Sequence, residues 1–179
     1  GGSFDDLYFG EAANEEMLKS LDLAEYKNIV FATHALIAGE FEGSNEPALV
    51  LSPPEKPDEV NDGFVTASEI SRMKLDADWV ILSACNTAAS DGTPGAEGLS
   101  GLTKAFFSAG ARSLLVSHWK VEDESAAFLT TQTMKGYSNG LSKAEALRGA
   151  QLKMMNGALG KEKTSPFYWA PFSLVGGLN

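Results

Sequence analysis

Trp79-Val-Ile-Leu-Ser83 is a run of apolar and branched side chains too short for a core helix, and Ala84 and Cys85 follow it at once. Apolarity without alternation suits a strand covered on both faces, as the strands of a parallel sheet are. Asn28-Ile-Val-Phe-Ala-Thr33, Ser113-Leu-Leu-Val-Ser117 and Phe172-Ser-Leu-Val175 have the same character. All four are expected as central strands. The stretches between them read as helices. Leu99, Leu102, Phe106 and Ala109 recur at helical spacing with Gly110 behind them, which predicts a buried helix over Gly98–Ala109. Thr66 with Glu69, and Ser142 with Glu145, place a hydroxyl three residues before a carboxylate, the mark of a capped helix start. Glu122 and Asp123 open a further helix to about Tyr137, their charges complementing its amino-terminal dipole. Ala48–Leu51 reads as a shorter strand, at an edge or in a hairpin. Strands alternating with helices make an α/β fold with a mostly parallel central sheet flanked by helices.

The 179 residues suffice for one domain with one core. Loops are expected at Ser52–Gly63, with Pro53, Pro54 and Pro57, and at Asn86–Gly98, with Gly92, Pro94 and Gly95. Neither is long enough to separate domains, and no internal repeat is present. With 14 basic and 24 acidic side chains the net charge is -10, a field that repels phosphate backbones and anionic membranes. No direct nucleic-acid or membrane partner is expected, and a basic or neutral peptide suits the charge better. No apolar run approaches the roughly 20 residues of a membrane span. A lone cysteine forms no internal disulfide, and no secretory leader is visible, so a reducing cytoplasm is the expected setting.

The one cysteine and both histidines fall just past strand ends. His34 follows Thr33, Cys85 follows Ser83 and Ala84, and His118 follows Ser117. In an open parallel sheet the carboxyl ends of the strands share the edge where ligands bind. A cysteine beside an imidazole gains thiolate character and supplies what acyl transfer needs. The backbone N–H groups of Ala35 and Cys85, each at a strand-to-loop turn, are candidate donors to an oxyanion if the two turns are adjacent. The alternative reading is equally open at this point, because buried free cysteines commonly only fill space, and histidines beside strands are commonly structural. A metal site from His34, Cys85 and His118 lacks both a spaced ligand motif and a fourth ligand, so no metal and no cofactor are expected.

The 51 positions between His34 and Cys85 approach the roughly 50 that separate histidine and cysteine in caspases. The wording around the two residues is more specific. Phe31-Ala-Thr-His34, Ala48-Leu-Val-Leu-Ser52, Leu82-Ser-Ala-Cys-Asn-Thr87, Glu97-Gly98 with Lys104-Ala-Phe-Phe-Ser-Ala-Gly-Ala-Arg112, Trp119, and Tyr168-Trp-Ala-Pro-Phe172 follow in order. From about Phe9 to Gly177 the chain resembles the CHAT family, which belongs with the caspase-like cysteine peptidases that also include separase. The resemblance implies a caspase-like three-layer fold, a catalytic dyad of His34 and Cys85, and an endopeptidase acting through an acyl-enzyme on a protein or peptide. It also implies activation by a partner or an assembly, and TPR-type repeats upstream.

The chain departs from the family in several places, and one matters to the chemistry. Ala35 stands where the family usually has glycine directly after the histidine, and alanine resists positive φ at the amide meant for the oxyanion. The family's domain also begins with a further segment of the same sheet, so residues 1–179 are expected to be its carboxyl-terminal, catalytic part, with an edge strand left open. His118 stands where the family more often has an apolar residue and is expected at the rim of the site. Trp119 to Glu124 is the expected wall of the substrate pocket. There Glu122 or Asp123 pairs with a basic side chain, or both only cap the next helix. Glu97 braces the active-site loop or only begins its helix. The alternative to a peptidase is a catalytically silent caspase-like scaffold, an interaction module.

Overall fold

The computed structural model describes residues 6–40, 45–54, 56, 60–83 and 101–177. Its larger sheet contains β1 (Asn28–Phe31), β5 (Trp79–Leu82), β6 (Ser113–Ser117) and β7 (Phe172–Gly176), side by side in that order. The first three run parallel and β7 runs antiparallel to β6. β5 and β6 are buried along their whole length, as their unbroken apolarity predicts. Their side chains nevertheless divide by the two-residue period of a strand. Val80, Leu82, Leu114 and Val116 enter one core with Phe106 and Ile70, while Trp79, Ile81 and Leu115 enter another with Leu129, Leu147 and Met154.

Among the described residues β1 and β7 are the outer strands of this sheet rather than central ones. Among the described residues each is bonded on one side only, and each is partly exposed along its length. β1 also ends at Phe31, since Ala32 and Thr33 carry the chain across to a second sheet. That sheet is antiparallel, ordered β2 (His34–Leu36), β3 (Ala48–Val50), β4 (Phe64–Thr66). Ala48 and Leu49 are fully buried, so β3 is the middle strand of this sheet rather than an edge or one arm of a two-stranded hairpin.

Helices cover both faces of the large sheet. α2 (Ala67–Arg72) packs beside α3 (Gly101–Ala109) over the first core, which the small sheet also joins through Leu49 and Val65. α4 (Asp123–Ser138) and α5 (Lys143–Met155) form a hairpin over the second. A Cβ on Gly136 would lie 3.0 Å from that of Ala146, so a bare backbone there lets α4 and α5 approach closely. Both capping boxes are present, Thr66 with Glu69 at α2 and Ser142 with Glu145 at α5. Among the described residues the short α1 (Glu15–Ser20) and α6 (Pro166–Trp169) complete the set of α-helices. Helix, sheet, helix is a three-layer α/β architecture with a mostly parallel central sheet, consistent with the caspase-like fold.

Candidate active site

β1 and β5 are parallel neighbours with Phe31 opposite Leu82, and Ser83 extends the ladder by donating its N–H to the Phe31 carbonyl at 2.9 Å. The chain leaves the carboxyl end of β1 and starts β2 on His34, whose ladder partner is Val50. The Thr33 hydroxyl donates to the Val50 carbonyl and ties the crossing between the two sheets. His34 is exposed, and among the described residues its imidazole has no hydrogen-bond partner. His34 is thus the first residue of a second strand rather than a loop residue past the first.

Ala35 faces Leu49 in the middle of the β2–β3 ladder. Closely and widely spaced pairs alternate along an antiparallel ladder. Bonding centred on Ala35 and Leu49 would need further bonds from Ile37 and Leu51, but Ile37 gives its N–H to Glu40 and Leu51 gives its own to Gly63. The bonded pairs are therefore His34 with Val50 and Leu36 with Ala48, and the Ala35 N–H is aimed away from β3. An amide so placed is free of its own ladder.

Cys85, its backbone N–H, Glu97 and the start of the helix expected at Gly98 lie outside the described residues. His118, just past β6, is exposed, donates its backbone N–H to the Pro171 carbonyl at 3.0 Å, and holds its Nε2 2.8 Å from the Ser173 hydroxyl. It sits at the carboxyl edge of the sheet, tied to β7. β5 separates it from β1, so the structure does not pair the two histidines.

Trp119, Glu122 and Asp123 are brought together. With Lys120, Val121 and Phe167 they line an open groove of about 790 Å³. The Trp119 Nε1–H donates to the Phe167 carbonyl at 3.0 Å, which joins the two aromatic walls. Glu122 accepts from the Lys163 ammonium at 2.9 Å and from the Ser125 hydroxyl at 3.1 Å, and these contacts, Lys163 first, hold its carboxyl below the usual carboxylate range. Lys163 is buried and also pairs with Glu124. Its ammonium is held above the usual lysine range by Glu124 and then Glu122. Among the described residues Asp123 makes no side-chain hydrogen bond or ion pair. It is the first residue of α4, and Glu122 is the residue before it, with no side-chain cap onto the helix backbone.

Lys163 and Phe167 carry no signal in the sequence that would join them to this groove. They lie some forty residues beyond Trp119–Asp123, and only the docking of α6 beside α4 brings them there. Among the described residues no group of three His, Asp or Glu side chains is arranged to hold a metal ion, and no helix is long and apolar enough to cross a membrane.

Comparison with known proteins agrees with this architecture. Tetratricopeptide repeat protein 28 of Mus musculus is 33% identical over 113 residues, which is 63% of this chain and 4% of that protein. The Homo sapiens protein of the same name is 32% identical over 113 residues, again 63% of this chain and 4% of the relative. The chain thus matches a small part of far longer, TPR-containing relatives. A sequence model of the CHAT domain matches residues 2–177, nearly the whole length, and the chain belongs to the CHAT domain family, within the caspase-like peptidase clan.

Proposed function

We propose that the chain is a cysteine endopeptidase in which His34 and Cys85 form the catalytic dyad. The observation that carries this reading is the register of β1 and β5. Phe31 and Leu82 are partners, and His34 and Cys85 each come three residues later in the chain. Family membership supports the same pair of roles. In the proposed reaction His34 takes the Cys85 proton and the thiolate adds to a peptide carbonyl. The tetrahedral oxyanion accepts from the backbone N–H groups of Ala35 and Cys85. Collapse expels the amine, which takes the proton back from His34, and water then hydrolyses the thioester to free the enzyme. Neither metal nor cofactor has a part. Trp119, Glu122 and Asp123 belong to the substrate-binding wall.

The likeness to TPR-containing relatives supports a setting for this activity. We place the chain as the catalytic part of a CHAT domain in a longer cytoplasmic protein with TPR-type repeats, switched on by a partner or by assembly. Among the described residues β1 is bonded on one side only, to β5, which supports pairing with a further strand of the same sheet.

The full-length protein, with its activating partner, is incubated with a peptide library beside its Cys85→Ala variant. Cleavage is expected from the wild type alone, and His34→Ala should lower the rate by about 10²–10⁴-fold. Cleavage that survives Cys85→Ala sinks the dyad. A second reading, a silent scaffold, is favoured by Ala35, an extended ladder residue at the position of the family's glycine. Absence of cleavage from both proteins, with the partner bound, would establish it.

A further inference from the structure

The groove beside β6 offers two aromatic walls and two charges, on Asp123 and Lys120, that have no side-chain partner among the described residues. Trp119 is 37% exposed and Phe167 54%. The only polar atom of the Trp119 side chain is spent on the Phe167 carbonyl, so the indole presents its ring rather than a donor to an incoming group. Val121 adds a further apolar side chain to the lining. A flat apolar slot of this kind takes a side chain with a long aliphatic stem.

The charges decide what the stem must end in. Besides Lys163, three carboxylates and one ammonium stand at the groove, and Lys163 engages two of the carboxylates. It pairs with both Glu122 and Glu124, so neither presents a free carboxylate. Asp123 remains as a carboxylate with no partner among the described residues. Lys120, also in the lining, would favour an anion. Aromatic faces, however, are electron-rich and attract a guanidinium or ammonium while opposing a carboxylate, and the net charge of -10 acts in the same direction.

On the reading of the chain as a peptidase, we infer that this groove is the pocket for an arginine or lysine side chain of the substrate. The stem lies along Trp119 and Phe167 and the cation meets Asp123. Lys163 is a positioning residue: by holding Glu122 and Glu124 at the start of α4 to the segment that leads into α6, it fixes the spacing of the two walls.

Binding tests this without catalysis. The full-length Cys85→Ala protein is titrated with acetyl-Ala-Ala-Arg-amide and with peptides carrying citrulline, norleucine or aspartate instead of arginine. Tryptophan fluorescence is the readout, assigned by its loss in a Trp119→Phe variant. The arginine peptide is expected to bind about tenfold tighter than the citrulline one. Asp123→Asn, an exposed change, should abolish that ratio and spare the norleucine peptide. Lys163→Met should weaken the arginine and norleucine peptides alike, and Lys163→Arg should restore both. Equal affinity for arginine and citrulline, a preference for aspartate that Lys120→Ala removes, or no binding by any peptide would overturn the inference. Binding selective for arginine without cleavage by the wild type would keep the pocket and remove the peptidase, and cleavage indifferent to arginine would do the reverse.

Discussion

Glu15 is 1% exposed, yet its carboxylate accepts the Gly63 N–H at 2.6 Å and the Lys19 ammonium at 2.9 Å. Lys19 reaches on to Glu69 at 3.0 Å and to the Val60 carbonyl. Burial pushes the Lys19 ammonium down, but Glu15 and Glu69 outweigh this and hold it above the usual lysine range. Truncating a buried carboxylate strands its donors, so Glu15→Ala should cost about 3 kcal/mol in urea unfolding, and Glu15→Gln, which keeps an acceptor for Gly63, about half of that. Gly110 is the other sensitive single position. Its φ is +114°, and a Cβ there would stand 2.2 Å from the Leu75 carbonyl oxygen. Gly110→Ala should therefore lose about 2–3 kcal/mol, read from the denaturation midpoint at constant slope. A glycine behind a helical repeat was legible as a stop, and the helix does end at Ala109. That Leu75 would block any side chain there was not, because the contact spans 35 residues of chain.

Short-range patterns were the readable part of the elements. Thr66 with Glu69 and Ser142 with Glu145 specify their helix starts within four residues, and both reciprocal bonds form. α2 has only six residues and so little helical stability of its own. Thr66→Ala and Ser142→Ala should each cost about 1 kcal/mol by thermal unfolding. The Glu122–Asp123 helix start was also legible, from Asp123 to Ser138. What failed was the rank of the strands. Asn28–Phe31 and Phe172–Gly176 look like central strands by composition, but which neighbours bond to them is fixed by distant residues. The small sheet was foreseen only as Ala48–Leu51, since β2 and β4 are three residues each and too brief to show an alternation. By its sequence neighbours His34 looks like a residue just past a strand end, while it opens a strand of its own.

At the scale of the molecule, charge gathers at the end of the sheet away from the candidate site. Lys27, Asp76 with Asp78, and Arg112 immediately precede β1, β5 and β6, and Arg112 meets Asp78 at 2.5 Å while Asp76 pairs with both Lys27 and Arg112. Lys27 first, and then Arg112, hold the Asp76 carboxyl below the usual carboxylate range. A carboxylate depressed by folding contributes stability above its unfolded pKa of about 3.9 and loses it as pH falls through the folded value. Asp76→Asn should thus destabilise the protein at neutral pH, and the gap to wild type should close progressively below about pH 4. Added salt should narrow the neutral-pH gap as well, because all four side chains are about half exposed.

The two sheets also differ in how they are inherited along the chain. The small one is assembled from residues 34 to 66 alone, whereas the large one draws on 28–31 and on segments from 79 to 176. Each ladder closes its own hydrogen bonds, yet Leu49 and Val65 of the small sheet share one core with Leu82 and Leu114 of the large one, so descendants should change these positions together. Ala32 and Thr33 are the shortest covalent link between the two sheets, and lineages should tolerate insertion or deletion there least.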